Sequence, residues 1–412
     1  MGSAVPVVLL GGALNALSAA RTMWRAGVPV DALAASATES WLRYSRSVRR
    51  YVTPDDSMTV PESWWQWLAN DAEPSVILPC SDDGTEFIAH RRAKLESLGH
   101  RPIEANDGVL LSMLNKSETS VLAEAAGVPA PRTVTVRSED DFDEVRRFRF
   151  PAGLKPVHSH AFARHFRPDS KGVVIADADE AIRILRPIVE ESFEMLLTEM
   201  VVGGDECVSY YTYVDENGEF LFDFTKRKPR QYPTKWGLGS YHITSRDPEV
   251  AELGRQFFTS IGLRGIGNVE FKRDERDGQL KLIECNPRLT GANELVRAAG
   301  IDIARIAYAR VVGAPLPAVD SYATNRVMWL PVEDIRAFRE YRERGEWTTS
   351  AWARSLLHRH CTTLFDWSDP SPAVRNWGAR AAALSRRFGN RKQDTGSDET
   401  DPYAPEPDQF AG

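Results

Sequence analysis

Two short segments carry the side chains best suited to chemistry: Asn268-Val269-Glu270-Phe271-Lys272 and Leu282-Ile283-Glu284-Cys285-Asn286-Pro287-Arg288. Between them the polar run Asp274-Glu275-Arg276-Asp277-Gly278 ends in Asp-Gly, which predicts a β-hairpin. Folded about that turn, Glu270 falls opposite Glu284, and Asn286, two residues on, shares the same face. Val269 and Phe271 point the other way, together with Ile283 and Cys285. Like charges directly across a strand pair destabilise it. Two carboxylates and an amide in that position therefore predict a hard cation, Mg²⁺ first of all, with Mn²⁺ as a substitute. Mg²⁺ held by few protein oxygens shares its shell with substrate phosphates, so the hairpin predicts a nucleotide-phosphate site. The competing reading is a solvated hairpin face with unpaired acids.

The elements that position this hairpin are legible on both sides. Residues 6–10 read as a buried strand, Gly11-Gly12 as a tight turn, Leu14 to Trp24 as a helix and Val28 to Leu33 as a second strand. That is the opening of a parallel α/β layer. It lacks a GxGxxG fingerprint, which argues against a dinucleotide site. A further strand, 75–79, leads into Ser81-Asp82-Asp83-Gly84 and a helix to about Leu98, with Asp82 or Asp83 as its cap. A helix spans 115–126. Strands near 133–136, 151–156, 172–176 and 195–201 alternate with helices near 139–148 and 178–190. Long β segments at 206–214 and 219–226 join through Asp215-Glu216-Asn217-Gly218. A helix at 248–261 precedes the acidic hairpin, and a helix pair at 291–313 follows it.

Bulk properties narrow the class. The chain has 412 residues, 26% charged and 42% hydrophobic, with net charge −7. This is an ordinary globular composition, and nothing in it suggests a nucleic-acid partner. Four cysteines at 80, 207, 285 and 361 show no CxxC spacing, so neither a zinc site nor a disulfide framework is expected. The short apolar run Val5 to Leu10 is neither a signal peptide nor long enough to span a bilayer, and the expected address is the cytoplasm. Between Arg336 and Lys392 twelve Lys or Arg face five acids. That stretch reads as arginine-rich helices with a solvated amphipathic face, a membrane or partner surface being the alternative. Residues 393–412 read as disordered. Oligomeric state leaves no trace in the sequence.

Taken in order, five motifs resemble the ATP-grasp superfamily, in particular its carboxylate–amine ligase branch, which includes D-alanine–D-alanine and D-aspartate ligases. The resemblance covers roughly residues 1–320. It implies an α/β ATP-grasp fold with an N-terminal Rossmann-like domain (1–108), a lid subdomain (109–195) and a large subdomain carrying the metal site (196–330). A basic helical extension (331–392) and a disordered tail (393–412) would follow. Lys116, in Leu114-Asn115-Lys116, and Lys155, in Gly153-Leu154-Lys155-Pro156, match the lysines that reach the α- and β-phosphates of ATP. In the connector Leu196 to Glu206, Glu199 would face the adenine amino group. The backbone of Met200 to Val202 would pair with the ring edge, and Glu206 would hold the ribose hydroxyls.

The fourth motif, Thr225-Lys226-Arg227-Lys228-Pro229-Arg230 followed by Gly237-Leu238-Gly239-Ser240, puts four cations in five positions at a strand end, a plausible anion funnel. Lys226 or Lys228 would meet the γ-phosphate. By the same resemblance Glu270, Glu284 and Asn286 would bind Mg²⁺, two ions in all, and Arg288 would steady the phosphoryl group or a substrate carboxylate. The loop Val157-His158-Ser159-His160-Ala161-Phe162 departs from the family in lacking glycines. His158 and His160 there could contact substrate or merely pack.

The implied reaction activates a carboxylate as an acyl phosphate at the expense of ATP and joins it to an amine. Its partners are small carboxylate and amine substrates. Two rival classes remain open on the sequence: an ATP-binding regulatory or scaffolding protein without turnover, and an oxidoreductase built on the first domain.

Overall fold

The computed structural model describes residues 4–36, 40–157, 162, 165–166, 172–235, 237–319 and 321–391, the last nine by backbone alone. His158, Ser159, His160 and the tail 393–412 lie outside the described residues. The chain divides into two compact units, Met1–Ala130 with Val201–Pro372, and Pro131–Met200 with Ala373–Gly412. Residues 109–130, expected in the lid subdomain, group with the first unit, which also joins the expected N-terminal domain to the large subdomain; the helices Asp107–Leu114 and Lys116–Ala125 lie there.

The first unit opens with five parallel strands: β1 (Val7–Leu10), β2 (Val30–Leu33), β3 (Arg50–Val52), β4 (Val76–Pro79) and β5 (Arg101–Pro102). Their order is β3-β2-β1-β4-β5. β1, β2 and β4 are buried throughout, as expected of apolar runs covered by helices on both faces. The order reverses between β1 and β4, and their carboxyl ends form a switch point. Gly12 there has φ +76°, and a Cβ would lie 2.6 Å from the Cys80 carbonyl oxygen, so only glycine fits. Ser81, not Asp82 or Asp83, caps the helix Asp82–Ser97: its hydroxyl accepts the Gly84 N–H at 3.0 Å. A serine hydroxyl in an extended residue meets the first orphan N–H groups, and the two acids then sit in the first turn, favoured by the helix dipole.

The second unit holds β6 (Thr133–Val136), β7 (Ala152–Pro156), β8 (Val173–Ile175) and β9 (Met195–Glu199), antiparallel in the order β6-β9-β7-β8. Its core joins Val136, Leu154 and Leu197 to Phe142, Val145 and Leu185 from the helices Phe142–Arg146 and Ala178–Glu190.

The large sheet returns to the first unit. Its strands are β10 (Cys207–Val214), β11 (Phe224–Tyr232), β12 (Leu238–Ser245), β13 (Gly265–Arg273), β14 (Leu280–Cys285), β15 (Arg326–Trp329) and β16 (Arg359–Cys361), ordered β14-β13-β10-β11-β12-β15-β16. The turn at Asp215–Gly218 forms as expected, the Asp215 carboxylate accepting the Asn217 and Glu219 N–H groups. The next full strand starts at Phe224 rather than 219, because residues 219–222 make only an isolated bridge. The cations of the fourth motif therefore lie inside a strand and alternate across it.

The segment 331–372 is not a helical appendage. Beside the helices Pro331–Glu343 and Thr349–Ser355 it supplies β16, which pairs in parallel with β15. Two buried ion pairs tie it down. Arg230 on β11 meets Asp334 at 2.7 Å, and Arg21 on the helix Leu14–Arg25 meets Asp369 at 2.9 Å. Among the described residues no helix is long and apolar enough to cross a membrane.

Candidate active site

The β13–β14 hairpin has the expected register. Glu270 pairs with Glu284, and Val269 with Cys285. Asn268 and Asn286 extend it, exchanging both backbone hydrogen bonds at 3.2 and 2.8 Å. The Asn286 amide donates to Asn268 Oδ1 at 3.2 Å, so a second amide that the sequence reading passed over shares the face. One detail differs. A bulge follows Glu270, so Phe271 pairs with Leu282 and Ile283 has no partner across the ladder. Leu282, not Ile283, is therefore the buried neighbour of Phe271.

Register carries this polar face across the sheet. Glu284 on β14 is opposite Glu270 on β13, Glu270 opposite Ser209 on β10, Ser209 opposite Lys226 on β11, and Lys226 opposite Thr244 on β12. Paired residues point to the same side, so five strands contribute one row. Lys226 Nζ donates to Ser209 Oγ at 3.0 Å, and Ser209 Oγ donates to Glu270 Oε2 at 3.3 Å. Lys228, two residues along, holds Glu270 Oε1 at 2.6 Å. His242 Nδ1 lies 3.3 Å from Lys226 Nζ. The other two cations of the run leave this face: Arg227 forks onto Glu206 at 2.6 and 2.8 Å, and Arg230 is buried against Asp334. The expected funnel of four cations is thus a pair: strand alternation turns Arg227 away, and the register shift between Arg227 and Arg230 turns Arg230 to the opposite face, beside Tyr241.

Burial sets the electrostatics. The Lys226 side chain is 2% exposed, and burial brings its pKa down to about 8 against the pull of Glu270. Burial also works against the Lys228 charge, but Glu270 outweighs it and raises the ammonium. Glu270 is held below the usual carboxylate range, since Lys228 and Lys226 override its own burial. Burial, reinforced by the two lysines, keeps His242 neutral by pushing its pKa well below 6.5. A neutral ring with an acceptor Nδ1 suits the Lys226 donor. Gly239 makes room for this packing: a Cβ there would lie 2.1 Å from His242 Nε2 and 2.9 Å from Lys228 Cδ. Neither Ser209 nor His242 carried a sequence signal, since each gains meaning only from its strand neighbours.

Arg288 follows the hairpin and reaches the first sheet. It grips Asp82, at the start of the helix Asp82–Ser97, with Nε to Oδ1 at 2.5 Å. The Leu289 N–H donates to the Pro79 carbonyl at 3.2 Å, and Asn15 donates to the Leu289 carbonyl at 2.9 Å. The segment 286–290 therefore docks at the switch point between β1 and β4.

Lys116 is the first residue of the helix Lys116–Ala125, whose cap is Asn115. Lys155 lies in β7, half-buried among apolar neighbours, and Glu199 ends β9 with Arg149 at 3.7 Å. The connector then crosses from one unit to the other at Met200–Val201, and the Val202 carbonyl accepts the Glu275 N–H at 3.0 Å.

Glu270, Glu284 and Asn286, the expected metal ligands, share one side of the hairpin: two carboxylates paired across strands, one of them held by Lys228 and Ser209, and an amide two residues on. Among the described residues no cluster of three or more His, Cys, Asp or Glu is placed to hold a metal ion.

The family model described as "ATP-grasp in the biosynthetic pathway with Ter operon" matches residues 214–332, which span β11 to β15. D-aspartate ligase of Enterococcus faecium is 25% identical over 391 residues, covering 90% of this chain and 92% of that protein. D-alanine–D-alanine ligase of Chromohalobacter salexigens is 29% identical over 185 residues, 43% of this chain and 57% of that protein. The crystal structure of an L-amino acid ligase from Bacillus licheniformis superposes with TM-score 0.59 at 15% identity, over 79% of this chain and 80% of that one, a likeness of fold. The chain belongs to the ATP-grasp superfamily. Within it the chain falls in the carboxylate–amine ligase branch, and it is an enzyme of the ATP-grasp ligase type.

Proposed function

We propose that the protein activates a carboxylate with ATP and joins it to an amine. A carboxylate oxygen attacks the γ-phosphorus, the bond to the β-phosphate oxygen breaks, and ADP leaves. The amine then attacks the acyl carbon of the acyl phosphate, the carbon–oxygen bond breaks, and phosphate departs as the amine loses its proton. The observation that carries this reading is the row Glu284–Glu270–Ser209–Lys226, with Lys228 on Glu270.

The residues have distinct tasks. Lys226 and Lys228 offset charge that accumulates on the transferring phosphoryl group, at fixed positions that need no reorganisation. Glu270, Glu284 and Asn286 hold Mg²⁺, which neutralises phosphate charge when bound. Lys116 and Lys155 act as point charges for the α- and β-phosphates. Glu199, the backbone of Met200 to Val202 and Glu206 take the nucleoside, and Arg227 must then share Glu206 with the ribose. Arg288, beside the switch point where α/β sheets take ligands, takes the substrate carboxylate. The similarity to D-aspartate ligase makes D-aspartate the first carboxylate to test.

The test is phosphate release from Mg²⁺-ATP against a matrix of carboxylic acids and amines, with mass spectrometry of products. Glu284→Gln should lower turnover roughly 10²–10³-fold with the fold intact, because Glu284 is exposed. Glu270→Gln should do the same while also leaving Lys228 without its counter-charge. Normal turnover by both variants would remove the metal assignment.

A further inference from the structure

Asp205 stands beside Glu206, just ahead of β10, and donors from two distant segments converge on it. Its Oδ2 accepts the Tyr341 hydroxyl at 3.0 Å and the Lys235 N–H at 2.9 Å, and Arg344 Nη2 lies 3.8 Å away. Lys235 has φ +73°, a conformation that L side chains rarely adopt, and this hydrogen bond holds it there. The Tyr341 ring is buried at the end of the helix Pro331–Glu343. Its hydroxyl also accepts the buried Gln231 N–H at 3.3 Å, and Gln231 is on β11, three residues beyond Lys228. The same helix end clamps the turn after β11: Thr234 Oγ1 donates to Glu340 at 2.6 Å and accepts from Arg344 at 2.9 Å. Burial and the facing Asp205 carboxylate push the Tyr341 hydroxyl up, so it keeps its proton and donates.

Packing of this helix needs the tyrosine ring but not its hydroxyl. The hydroxyl instead bridges β11, which carries Lys226 and Lys228, to the residue next to Glu206. Arg227 makes a second link from β11 to the connector, directly through Glu206. That link competes with any ribose that Glu206 takes up, whereas the bridge through Asp205 does not. We infer that Tyr341, from the segment beyond residue 330, is a positioning residue for the nucleotide: through Asp205 it sets Glu206, at the ribose end, against the lysines at the phosphate end. The inference rests on the reading of Glu206 as the ribose acceptor.

The test is steady-state phosphate release by the full chain, with calorimetric titration of MgADP. Tyr341→Phe keeps the ring and removes the bridge. It should raise the KM for ATP and weaken MgADP binding roughly fivefold or more, with kcat and the KM for the carboxylate close to those of the parent. Asp205→Ala should do the same, and Asp205→Asn should recover part of the loss because its amide oxygen still accepts. The Tyr341→Phe, Asp205→Ala double variant should be no worse than the weaker-binding single, since both remove one link. A parent protein that does not bind MgADP would remove the nucleotide reading and this inference with it. If the parent binds MgADP, the inference alone is overturned by equal binding to Tyr341→Phe, by a fall in kcat at unchanged KM for ATP, or by additive losses in the double variant.

Discussion

Replacing Asp334 by Asn should lower stability by roughly 3–5 kcal/mol, the cost of removing one charge from a buried pair. Asp334 and Arg230 are both 0% exposed and bond twice, at 2.7 and 3.0 Å. Asp334 also accepts from Ser240 at 3.1 Å, Trp329 Nε1 at 3.0 Å and Trp352 Nε1 at 2.9 Å. The guanidinium carbon lies 4.1 Å from the Tyr241 ring centre and 4.5 Å from that of Trp347, and among the described residues its Nη1 has no hydrogen-bond partner. An amide at 334 would leave that cation buried and uncompensated, with an NH₂ group aimed at its donors. At 2–4 °C per kcal/mol, the thermal midpoint should fall by roughly 6–20 °C. The Arg230→Met, Asp334→Leu double variant should recover a large part of the loss, because it removes both charges. Differential scanning calorimetry of the four proteins closes the cycle. A shift below about 2 °C for Asp334→Asn, or a double variant worse than the sum of the singles, would refute this account of how residues 331–356 hold β11. Since β11 also carries Lys226 and Lys228, phosphate release by the surviving fold should fall with the midpoint.

The remaining predictions address the active face. Lys226 titrates near 8 in the folded chain and at its ordinary 10.5 when unfolded. Between those values the unfolded chain binds more protons, so stability gains an increment as pH rises from about 8 to 10. Below 8 both states carry the proton and the penalty of the buried charge is fully present. Lys226→Met should therefore flatten the pH dependence of the urea midpoint in that window relative to wild type; an unchanged slope would exclude Lys226 as its source. Gly239→Ala should displace His242 or Lys228 and cut phosphate release more than roughly tenfold with a loss of about 1–3 kcal/mol, checked by kinetics and urea melts side by side. Asp369→Ala strands Arg21, also held by the Thr363 and Leu364 carbonyls, and should cost about 3–5 kcal/mol in the same melts.

Much of this protein is written locally. Turn chemistry at 215–218 and 274–278, strand alternation around Glu270 and Glu284, and helical spacing at 14–24, 178–190 and 248–261 each depend on neighbours a few residues away. The sequence alone therefore determined the hairpin, its facing acids and the parallel opening. It also carried enough ordered motifs to mark the ATP-grasp resemblance. What needed the tertiary structure was every pairing between distant strands. Ser209 and Glu270 are 61 residues apart, and Arg288 and Asp82 are 206 apart. Nothing local says which group will meet which cation, so the run at 226–230 reads as one funnel until the sheet sends its four members to four partners, Ser209, Glu206, Glu270 and Asp334. The bulge after Glu270 put Leu282 rather than Ile283 in the core, and burial, with the neighbouring lysine charges, made His242 a neutral acceptor and drew Lys226 toward neutrality. Local periodicity sets which way a side chain points; register and burial, which are properties of the assembled sheet, set what it meets and what charge it keeps.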